Sequence, residues 1–107
     1  MKNDGLLTQL GYSVSPNTTA QIQRVIDNTK GFEHVEKHLL SLHDALQAHH
    51  SFVALSSNKD YFKIKNEALG DEMVAEVNEM IAKWSDKYKI AIEKVPNKHT
   101  YYVIGYN

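Results

Sequence analysis

Residues 51–65 read SFVALSSNKDYFKIK. Two runs of β-forming residues flank the polar tetrad SNKD, and in the second run Phe62 and Ile64 alternate with Tyr61, Lys63 and Lys65. A period of two is what a strand produces, because successive side chains point to opposite faces. The segment therefore reads as a hairpin whose second strand sets its apolar residues on one face and a tyrosine with two lysines on the other.

Downstream of Asn66 the period changes. Met73, Val77, Met80, Ile81, Trp84 and Tyr88 fall on one helical face, with Glu76, Glu79, Lys83 and Asp86 opposite. IAIEKV and TYYVIGY then flank Pro96-Asn97-Lys98-His99, where proline presets a turn and asparagine tolerates unusual dihedrals, so a second hairpin follows. Upstream, Phe32, Val35, Leu39, Leu42 and Leu46 share one arc and predict a long helix running from Gly31 to near His49. Before it, Ser15-Pro16 supplies a cap and a first helical residue, and Ile22, Val25 and Ile26 extend a helix from Pro16 to about Asn28. Leu6, Leu7 and Leu10 ahead of Gly11 allow one or two further helical turns.

The order ααββαββ predicts an α+β fold in which a four-stranded antiparallel sheet packs its helices mainly on one face. The strand order is not fixed by this reading. With 107 residues and no Gly-, Ser- or Pro-rich linker, residues 1–107 read as one domain, a helical part to about residue 50 and a hairpin-helix-hairpin part from about 51. Its 42% hydrophobic and 23% charged residues exclude the composition of a disordered chain. The absence of cysteine removes disulfides, thiolate metal sites and cysteine nucleophiles. No apolar run approaches the roughly 20 residues of a membrane span, and no export signal is visible, so the expectation is a cytoplasmic protein without membrane attachment.

Net charge is −1, yet the charges segregate by element. Residues 51–66 carry +2 and residues 87–107 carry +3, whereas residues 67–86 carry −5. If the acidic helix covers one sheet face, the opposite face is left to present lysine with tyrosine. Tyr61, Lys63 and Lys65 share one face of their strand, and the last strand contributes either Tyr101 or the pair Tyr102 and Tyr106. The candidate binding residues are Tyr61, Lys63, Lys65, Tyr102 and Tyr106. Exposed strand lysines also serve simply to block edge-to-edge aggregation, and tyrosines pack across strands.

Five of six histidines lie between His34 and His50. His34 and His38, four apart, would stack on one helix and could share an ion, but two ligands fall short of the three or four that zinc sites use, and HVEKH lacks the zincin H-E-x-x-H spacing. No metal or cofactor is assigned. His43 reads as a half-buried packing residue, and His49-His50 as a helix end where the dipole favours a cation. No nucleophile elbow, phosphate loop or dinucleotide turn occurs, which argues against an enzyme.

These observations favour a small non-catalytic protein-interaction module that recognises its partner through a Tyr/Lys sheet face or edge and self-associates, as a homodimer. The alternative is a small-molecule-binding or catalytic domain with a His/Tyr pocket. A further alternative, single-stranded nucleic-acid binding, is disfavoured by near-zero net charge and a single arginine, Arg24.

Overall fold

A computed structural model describes residues 3–107. The chain begins with α1 (Asp4–Gln9) and α2 (Pro16–Asn28). The latter starts at the anticipated serine: Ser15 Oγ accepts the Thr18 N–H (3.1 Å) and Thr18 Oγ1 accepts the Ser15 N–H (2.9 Å), a reciprocal box that satisfies two donors at the helix start.

The single long helix expected from Gly31 to His49 is divided. A 3₁₀ turn, Phe32–His34, precedes α3 (Glu36–Gln47). The cause lies just before it. The Lys30 carbonyl accepts the Tyr106 N–H at 2.7 Å, tying the chain to the sheet, and Gly31 then takes a left-handed φ of 62° to leave it. The end comes two residues early, where His50 turns left-handed (φ 59°) and the Ser51 N–H returns to the Leu46 carbonyl at 3.0 Å.

β1 (Phe52–Leu55) and β2 (Phe62–Lys65) form the first hairpin, α4 (Asp71–Tyr88) follows, and β3 (Ile90–Lys94) with β4 (Thr100–Tyr106) forms the second. The fold is α+β, and its antiparallel sheet has the order β1-β2-β4-β3. Register fixes the two faces. Phe62 pairs with Leu55 and Val103, and Ile64 with Val53 and Tyr101, giving the face covered by helices. Lys63 pairs with Ala54 and Tyr102, and Lys65 with Phe52 and Thr100, giving the other. The apolar face joins Val77, Ile81 and Trp84 of α4, Leu39, Leu42 and Leu46 of α3, and Ile22 and Val25 of α2 in one buried cluster. Trp84 donates its indole N–H to the His38 carbonyl (3.0 Å), locking α4 onto α3.

The β1 edge is closed by side chains. The Val53 N–H donates to His43 Nδ1 (3.0 Å) and the Leu55 N–H to the Tyr12 hydroxyl (2.8 Å). Those amides are thereby unavailable to a further strand. Among the described residues, no helix is long and apolar enough to cross a membrane.

Candidate functional site

The helix-free sheet face is built by the alternation of β2 and its register with β4. Lys63 stands beside Tyr102 and Lys65 beside Thr100 as direct cross-strand neighbours. Tyr61, just before the strand, brings its ring to 5.4 Å from that of Tyr102, and Lys59 Nζ lies 5.6 Å from the Tyr102 ring centre. The loops at either end fold toward this face. At one end Ser56 pairs through its N–H with the Tyr61 carbonyl (3.0 Å), while its hydroxyl accepts the Asn58 N–H (3.3 Å). At the other, the Pro96-Asn97 turn, with Asn97 at φ 62°, brings Lys98 into the same lining as Thr100.

Between them lies a trough of about 80 Å³ walled by Ser56, Ser57 and Asn58 at one end and Val95 and Lys98 at the other, with Lys63, Lys65, Thr100 and Tyr102 as its floor. Its length along the strand, about four residues, is roughly 13 Å. Lys65 reaches Glu67 at 3.4 Å across the surface. Among the described residues, Lys63 and Lys98 have no ion-pair partner. Burial pushes the Lys63 ammonium below the usual lysine range, and the charges of Lys65 and Lys98 add to that, opposed by Glu67. The trough is therefore a site of incompletely neutralised positive charge.

The structure brings Tyr61, Lys63, Lys65 and Tyr102 together on this face. Tyr106 lies elsewhere, because the ladder is irregular: Ile92 pairs with Val103 but Ala91 with Gly105, so Ile104 is an extra residue. The bulge reverses the alternation, and Tyr106 packs on the helix side with its ring 4.7 Å from His34. Tyr101 also faces the helices, donating its hydroxyl to Asn78 Oδ1 (3.0 Å), and burial raises its pKa. His34 and His38 do not share a helix face: one covers Tyr106, the other stacks on Tyr88 at 3.8 Å. Among the described residues no cluster of three or more His, Asp or Glu side chains is arranged to hold a metal.

Ser57, Asn58, Lys98 and Thr100 are not among the binding residues expected from the sequence. Lys98 contributed to the basic count of the second hairpin, but its position over β2 follows only from the pairing of β2 with β4. Comparison with protein-family models, with curated proteins and with solved structures finds no match for this chain.

Proposed function

We propose that this chain is a cytoplasmic, non-catalytic interaction module that binds an extended, acidic segment of a partner protein across the helix-free sheet face. The observation that carries this reading is the convergence of Lys63, Lys65 and Lys98 on one trough, with Glu67 paired to Lys65 and Glu93 on the far side of Tyr102 as the nearby carboxylates. A segment rich in Asp or Glu would relieve the mutual repulsion of the lysines and be steered to the face by its charge. The acidic surface of α4 lies on the opposite side of the sheet and would repel the same segment from the wrong site.

A polypeptide is favoured over nucleic acid because Arg24 already sits 3.6 Å from Asp60, and Tyr61 and Tyr102 turn their rings toward each other.

The test is titration with a fluorescent glutamate-rich peptide. The reading expects salt-sensitive binding that falls by about tenfold or more in a Lys63→Glu/Lys98→Glu variant of unchanged melting temperature. Equal binding by the variant contradicts it, and tighter binding of a single-stranded oligonucleotide than of the peptide transfers the face to nucleic acid.

Self-association belongs to a different surface in this reading. A two-fold contact between two copies of the lysine face would oppose like charges, and the β1 edge is closed by His43 and Tyr12. The β3 edge remains for a homodimer. Solution mass at increasing concentration tests this: a dimer supports it, and a monomer throughout removes it.

A further inference from the structure

We infer that the trough is a site for a tetrahedral, phosphate-type oxyanion. This inference rests on the proposed binding of an acidic segment and specifies the group that the trough itself takes.

Size comes first. A volume of about 80 Å³ suits a small anion and lies below the roughly 300 Å³ at which small-molecule pockets begin. Donors come next. Lys63 and Lys98 have no ion-pair partner, and the Ser57 and Thr100 hydroxyls and the Asn58 side-chain amide make no hydrogen bond among the described residues. The trough thus offers two unpaired ammonium groups together with neutral hydroxyl and amide donors. A phosphate monoester carries about −1.5 to −2 charge near pH 7 and three acceptor oxygens, which matches the two unpaired ammonium groups of Lys63 and Lys98 beside the Thr100 hydroxyl.

The same chemistry has two sources, a phosphorylated side chain on the acidic segment and free phosphate. The experiment records amide and lysine side-chain NMR spectra of the intact protein during titration with three probes. These are a glutamate-rich peptide containing one phosphoserine, the same peptide with serine in its place, and inorganic phosphate. The expected result is that the phosphopeptide binds about tenfold or more tightly than its serine counterpart. Its addition also shifts Asn58, Lys63, Lys98 and Thr100 and raises the pKa of the Lys63 amine. Free phosphate moving the same resonances without a phosphopeptide preference assigns the site to the free anion, and the inference stands.

Equal affinity of the two peptides, with no effect of phosphate, overturns the oxyanion site and leaves the acidic-segment reading intact. Failure of all three probes overturns both. Thr100→Val, which keeps the shape of the side chain and removes its hydroxyl, is expected to weaken the phosphopeptide and not the serine peptide. An equal loss for both peptides contradicts a hydroxyl-to-oxyanion contact.

Discussion

Substituting Tyr12 by phenylalanine removes one oxygen and nothing else, and that oxygen holds the edge of the sheet. The Leu55 N–H points out of β1 and donates to the Tyr12 hydroxyl at 2.8 Å, from a residue only 4% exposed. Without the hydroxyl, a buried backbone donor loses its acceptor and water has little access to replace it, a change that costs about 1–3 kcal/mol. Taking about 2 kcal/mol, and a shift of roughly 4–8 °C per kcal/mol for a domain near this size, Tyr12→Phe lowers Tm by about 8–16 °C. Urea denaturation should give the same loss with an unchanged m-value, since the folded surface is the same. Hydrogen exchange at the Leu55 amide should accelerate more than at Ile64 in the neighbouring strand. A midpoint equal to that of the parent protein, with Leu55 still protected, would refute the reasoning, because another acceptor would then be serving that amide.

His43 accepts the Val53 N–H through Nδ1, and burial lowers its pKa, outweighing Asp44 and the Gln9 carbonyl, which raise it. The unfolded chain then binds this proton more readily than the folded one. Its contribution is complete above about pH 6.5 and is lost as pH falls from there through the lowered value, so denaturation midpoints should drop with acidification and His43→Leu should flatten that slope. Trp84→Ala should cost about 3–5 kcal/mol in chemical denaturation, since the indole is buried between α3 and α4, and an unchanged midpoint would place that face in solvent. Gly105→Ala should lower stability by about 1–3 kcal/mol, because a Cβ there would lie 2.7 Å from the Lys30 backbone nitrogen and oxygen; a melting curve like the parent's would mean that Lys30 does not pair with β4.

What the sequence made legible was local. The alternation from Tyr61 to Lys65 separated the two sheet faces because the side-chain period of a strand is two, and the stripe through Val77, Ile81 and Trp84 located the buried side of α4. The Ser15-Pro16 start of α2 was equally clear, since its capping partners lie within three residues. Features set by distant partners were not legible. Tyr106 was placed with Tyr102 by simple alternation, and the extra residue Ile104 in β4 turned it to the helix side. The division of the long helix at Phe32–His34 arises from the Lys30–Tyr106 hydrogen bond, across most of the chain. Neither Tyr12 nor His43 carries a sequence signal for closing an edge, because each finds its amide only after β1 has docked. The trough is the same case: Ser57, Asn58 and Lys98 come from two loops, and only the β2–β4 pairing brings them to one face.

The central claim is that the lysine-tyrosine face binds an acidic segment while the helical side does not. Its most direct test is an amide chemical-shift map of the protein titrated with a glutamate-rich peptide at low salt. The account predicts shifts at Asn58, Lys63, Lys65, Lys98, Thr100 and Tyr102, fading as salt is raised, with Glu72, Glu76 and Glu79 of α4 unmoved. A map with no shifts, or with shifts centred on α2 or α4, would contradict it.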